Sequence, residues 1–212
     1  MTPLATPPLC NADDATFWAW HRWPEFARWK APATTVVVIP LAGFCDWGLD
    51  RPLDSEETVL LSVLRAASES RTPDQSLLVT PPLRFVVGPN AHCAFAVDVP
   101  TAHAFIAEVT ASVAVAGFRR LVLFNASPWN EELVVAASRD LRIALGVQLF
   151  TIHLSALGLD FLPSRSPDRT RLLAAIDSRG DAAAAQQLRA LLAEIQSHPP
   201  LAHGGRITAA QP

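Results

Sequence analysis

Residues 40–57 read PLAGFCDWGLDRPLDSEE and gather Cys45, Asp46, Asp50, Asp54 and Glu56 in one loop. Two chemistries are open to that set. One divalent cation, zinc or manganese, could be held by Cys45 and Glu56 with Asp50, or with His92 or His153. It would bring the pKa of a bound water down to about 7 and so supply hydroxide. Alternatively, the Cys45 thiol could attack as a nucleophile with His92 as its base. Plainer readings stand beside both. Asp54, Ser55, Glu56 and Glu57 have the make-up of a capped helix start, and cysteine is commonly a buried small hydrophobe. A second segment, 125–130, reads NASPWN and presents Asn125, Ser127, Trp129 and Asn130. His153 either faces the same site or is a histidine satisfied by one backbone partner.

These loops need a frame. Residues 34–40 (TTVVVIP) form a continuous apolar run, which suits a strand covered on both faces. Residues 77–80, 121–124 and 147–152 are similar, and 94–99 is a weaker candidate. Helices are marked by their ends. Ser55 can cap one that carries Leu60, Leu61, Leu64 and Ala67; Thr101 can cap a second that stops at Gly117; a third runs from Asn130 to Gly146. Leu188, Leu191, Leu192 and Ile195 make one apolar stripe on a last helix. Residues 16–29 read as a helix pair, or one helix broken at Pro24. The alternation predicts an α/β fold of three layers, a mostly parallel sheet with helices on both faces. Ligands of such folds sit at the carboxyl ends of the strands, where both loops fall.

The chain has 212 residues, 17 basic and 20 acidic, for a net charge of -3. That excludes nucleic-acid binding through a broad basic face. Half of the residues are hydrophobic and 17% are charged, which provides a large core and leaves little polar cover, as expected of an oligomer. No apolar run reaches the roughly 18–20 residues of a membrane span, and the first residues do not read as a signal peptide. Cys10, Cys45 and Cys93 are an odd set without CxxC spacing, read as reduced thiols of a cytoplasmic protein. Residues 1–15 and 197–212 read as flexible ends around a single domain spanning 16–196.

The two loops resemble motifs of the creatininase (creatinine amidohydrolase) family, P-x-G-S-x-E-x-H-G-x-H-L-P-x-x-T-D and N-G-H followed by Glu or Gly and then Asn. Pro40, Gly48, Pro52, Leu53, Asn125 and Asn130 fall on family positions without gaps. The Trp-Pro-Glu-Phe run at 23–26, the Pro-Pro-Leu run at 81–83 with Gly88 and His92, and Gly117-Phe118 ahead of a strand resemble further segments of the family. The resemblance spans about residues 17–196. It implies a creatininase-like fold, assembly as a homo-oligomer such as a hexamer, and a pair of divalent metals serving amide hydrolysis.

The residues at the metal positions depart from that pattern. By the resemblance, Cys45 stands at a Glu, Trp47 at a His, Asp50 at a second His, Glu56 at the terminal Asp, Ser127 at the second motif's His, and Trp129 at its acidic position. Indole has an N–H donor and no free lone pair, so Trp47 and Trp129 cannot ligate. The family's later H-A-G-x-x-E-T segment has no counterpart, and the sequence predicts a shortened loop in which the chain passes from 150–153 through Pro163 and Pro167 straight towards the last helix. The sequence therefore predicts a degenerate member without metal or amidohydrolase activity, working by binding a small molecule at a Trp47–Trp129 pocket or by joining an active homologue in a hetero-oligomer. Its enzyme-class alternative is hydrolysis of a cyclic or linear C–N amide bond through a rebuilt one-metal site.

Overall fold

A computed structural model describes residues 15–88 and 92–199. The flexible ends expected at 1–15 and 197–212, and Cys10, lie almost wholly outside the described residues. After a short 3-10 turn at Trp18–Trp20, the single-turn helix α1 occupies Trp23–Phe26 with Pro24 in its first turn. Thus 16–29 is two short turns and not a long broken helix. Strands β1 (Val36–Ala42) and β2 (Phe44–Cys45) precede α2 (Ser55–Glu69). Then come β3 (Leu77–Val79), β4 (Leu83–Arg84), β5 (Val86–Val87), β6 (Cys93–Ala94) and β7 (Ala96–Val97). Helix α3 (Val99–Val115), β8 (Arg120–Asn125), α4 (Glu131–Leu145) and β9 (Gln148–His153) follow, then α5 (Thr170–Asp177) and α6 (Ala182–Ser197).

The main sheet runs β3-β1-β8-β9, all parallel, with β4 alongside the end of β1. Its strands carry apolar residues on both faces, because their central side chains meet a core whichever way they point. Val36, Val38, Val122 and Phe124 pack with α2, α5 and α6. Val37, Ile39, Leu41, Leu121 and Leu123 pack with α3 and α4 on the other face. Three layers result, as the sequence predicts.

Several boundaries differ from expectation. Ser55 is the first residue inside α2, and its hydroxyl donates to Pro52 O at 2.5 Å instead of capping the helix. The cap of α3 is Asp98, which accepts from Thr101 N at 2.8 Å, so Thr101 receives the cap and does not supply it. The 94–99 run breaks into fragments, and Val99 already belongs to α3. Helix α4 starts after Asn130 and ends on Gly146, whose φ of 61° is left-handed and unstrained only without a Cβ. Between β9 and the last helix lies α5, where a direct passage was expected; its Leu172, Ala175 and Ile176 are buried.

Candidate functional site

The carboxyl ends of β1, β8 and β9 meet around Glu56, in the first turn of α2. Glu56 is fully buried. Its Oε2 accepts from Gly43 N at 2.7 Å and its Oε1 from Trp47 Nε1 at 2.9 Å. Burial pushes its carboxyl up to about 7, against the lowering effect of those donors and of the Ser127 hydroxyl. Gly43 allows this close approach: a Cβ there would strike Val86 Cγ2 and lie 3.1 Å from Glu56 Oε2.

Trp47 reaches Glu56 because its loop turns back on itself. Asp46 Oδ1 accepts from Gly48 N at 2.8 Å, a side-chain-to-backbone turn, and Gly48 and Asp50 take φ of 64° and 53°. The Trp47 ring stacks on Trp129 at 5.9 Å with 15° between planes, and lies 5.8 Å from Phe161. Arg169 ties the loop down, donating to Trp47 O at 3.0 Å and to Phe161 O. Trp129 stays 41% exposed, so the stack presents one open aromatic edge at the surface.

Asn125 and His153 are register partners on β8 and β9. Asn125 Nδ2 donates to Ser127 O at 2.8 Å and lies 3.3 Å from His153 Nδ1. An amide N–H facing Nδ1 makes that nitrogen the acceptor and puts the imidazole proton on Nε2. Asn125 Oδ1, Ser127 Oγ and His153 Nε2 are buried with no well-formed hydrogen bond, although Ser127 turns toward Glu56. Burial holds the His153 imidazole below its ordinary range; Glu131 works the other way, and Arg165 adds to the lowering. Glu131 accepts from Ser155 Oγ at 2.7 Å and from Arg165 Nη1 at 2.6 Å, which hold its carboxyl low despite burial. Asn130 is structural: it donates to Phe85 O and accepts from Val87 N, each at 2.9 Å.

The structure therefore joins Glu56, Trp47, Trp129, Ser127, Asn125 and His153, and leaves the others apart. Asp46, Asp50 and His92 are exposed. Cys45 is bonded to Cys93 in a disulfide, which corrects the reading of these two cysteines as reduced thiols. The bond removes both the Cys45 thiolate of the one-metal set and the Cys45–His92 nucleophile pair, since a disulfide sulfur has no thiolate charge to offer. The cytoplasmic assignment rested on those thiols and loses that support. Among the described residues, no three His, Cys, Asp or Glu side chains converge as a metal site would require. Sequence reasoning missed Gly43, Phe161, Arg165 and Arg169. The two arginines lie in a stretch whose prolines conceal any regular pattern, whereas Gly43, next to the strand end, was a readable sign of close approach.

Architecture and site together define a three-layer α/β protein with a buried carboxylate and an aromatic stack at its strand ends. The family model for creatininase, creatinine amidohydrolase, matches residues 20–208, and the chain belongs to that family. Among solved structures, a crystal structure of creatinine amidohydrolase (creatininase) is 19% identical, with a TM-score of 0.53 over 68% of this chain and 60% of that one. A putative creatinine amidohydrolase from Bacteroides fragilis is 13% identical, with a TM-score of 0.65 over 88% and 98%. A mutant creatininase of the Zn-Zn type is 19% identical, with a TM-score of 0.55 over 70% and 61%. The match thus spans about 60% of the creatininase chain. No curated protein matches the sequence.

Proposed function

We propose that this creatininase-family chain has given up metal-dependent amide hydrolysis and acts by binding, either of a small molecule against the Trp47–Trp129 face or of a partner chain. The observation that carries this reading is the 2.9 Å bond from the Trp47 indole to Glu56. Glu56 is the carboxylate that the family resemblance puts at a metal, and here its two oxygens take N–H donors. A dinuclear centre needs several anionic or imidazole donors at roughly 2.0–2.3 Å. Indole rings at two of those positions offer none. Elemental analysis after incubation with zinc or manganese and dialysis tests the reading. Well under one metal per chain and no creatinine cleavage are expected; a stoichiometric, dialysis-resistant metal or turnover of creatinine overturns it. Titration of small planar ligands should quench or shift tryptophan fluorescence if the open edge of the stack binds them.

The enzyme-class alternative is an amidohydrolase with one divalent ion on Cys45, Glu56 and Asp50. It requires a reduced Cys45 and a Glu56 released from Trp47, so it has no support in the oxidised fold. Assembly as a homo-oligomer, or with an active homologue, is supported by Trp23, Phe95, Val115 and Ile143, whose large apolar side chains are exposed. No helix among the described residues is long and apolar enough to cross a membrane.

A further inference from the structure

Cys45 and Cys93 stand opposite each other on β2 and β6, antiparallel strands of two residues each. Trp47 follows two positions after Cys45. Beyond the disulfide, Asp46 N donates to His92 O at 2.8 Å. The residues flanking this segment, His92 and Phe95, hold φ of 66° and 55°. Non-glycine residues in that region are strained and persist only where the surroundings impose them. So short a ladder contributes few hydrogen bonds, which leaves the covalent link as the principal tie between β2 and β6, while Trp47 itself is held further by Glu56, Arg169 and the Trp129 ring. At the neighbouring ends of β8 and β9, Asn125 Oδ1 and His153 Nε2 are buried and unsatisfied. Each would gain free energy from meeting water.

We propose that the Cys45–Cys93 disulfide is a redox-operated latch on the Trp47 closure, so that a dithiol reductant opens the strand-end site and oxidation shuts it. The accessible sulfur is that of Cys93, since Cys45 is 2% exposed and Cys93 is half-buried. A reductant thiolate attacks Cys93 Sγ, and the S–S bond breaks. The Cys45 thiolate leaves and takes a proton from water. The reductant's second thiol then attacks the mixed disulfide, releases the Cys93 thiolate, which is protonated in turn, and leaves the reductant as a disulfide. Two electrons and two protons pass from the dithiol to the protein. With the bond cut, the strained segment around Cys93 relaxes, and the loop carrying Trp47 can lift from Glu56 and admit water or a ligand. This rests on reading Trp47 as the closure over a site that works by binding.

Hydrogen exchange read by mass spectrometry, on the full chain before and after dithiothreitol, tests the latch. Titratable thiols should rise by two per chain. Peptides covering 43–48, which hold the Gly43 and Asp46 amides, should exchange at least about tenfold faster, while β8 remains far slower than the loop. The Cys45→Ser/Cys93→Ser double variant should show the open loop without reductant and should not respond to it. No rise in thiols, a rise without faster loop exchange, or equal loss of protection in loop and β8 would each overturn the latch. Zinc content is measured on both forms in parallel. Stoichiometric zinc would defeat the binding reading of the site, whereas the latch is decided by the exchange data alone.

Discussion

The Glu56 carboxyl is pushed up to about 7 from an ordinary 4.5, because burial outweighs the Gly43 and Trp47 donors. An acid whose pKa is raised by folding holds its proton more tightly in the native state. Its stabilising share is therefore complete below about 4.5 and is lost as pH rises through about 7. Urea unfolding at pH 5 and pH 8 should show wild type losing more stability across the interval than Glu56→Gln, by on the order of 2–3 kcal/mol. Parallel losses in the two proteins would refute the assignment. Trp47→Phe keeps the ring stack and removes the indole N–H, leaving Glu56 Oε1 without its donor. A loss of about 1–3 kcal/mol is expected in the same urea experiment. An unchanged midpoint would mean that the indole contributes packing alone. Of the residues singled out from the sequence, Trp47 and Trp129 were legible as non-ligands, since donor chemistry does not depend on the fold. Their stacking on each other was not legible, because it depends on the turn formed by Asp46 and Gly48.

At the scale of elements, the site is assembled by strand ends and by side chains that bolt loops together. Asn130, at the start of α4, bonds to both Phe85 and Val87 across 45 and 43 residues of sequence. Asn130→Ala should cost about 2–3 kcal/mol by removing two hydrogen bonds at a buried side chain. Native-state hydrogen exchange should locate the loss in residues 83–88; a loss spread evenly through the fold would show that Asn130 holds no particular loop. Four main strands and the helices around them were readable because uninterrupted β-branched runs and Gly-terminated helices are local signals. Helix α5 was not, since it is short and stands behind Pro163 and Pro167. The cap of α3 is Asp98 and not Thr101, three residues on, because both are capping types and only the backbone decides between neighbours. The disulfide was invisible for a similar reason. Three cysteines with no motif give no pairing until β2 and β6 are set side by side.

For the molecule as a whole, two apolar cores sit on opposite faces of one sheet, and Trp23, Phe95, Val115 and Ile143 stay exposed outside both, in a chain with only 17% charged residues. Sedimentation should give a mass above that of one chain at micromolar concentration; a monomer at all concentrations would remove the support these residues lend to assembly. The Cys45–Cys93 bond, with partners 48 positions apart, also ties off a ring that contains the entire α2 crossover and β3. Closing a ring of that length deprives the denatured chain of entropy equivalent to about 4 kcal/mol. The oxidised polypeptide thus carries its first crossover as a permanent lasso even when nothing else is ordered. Any cell compartment that cuts the lasso leaves the same sequence to find β1 beside β3 by diffusion of its ends.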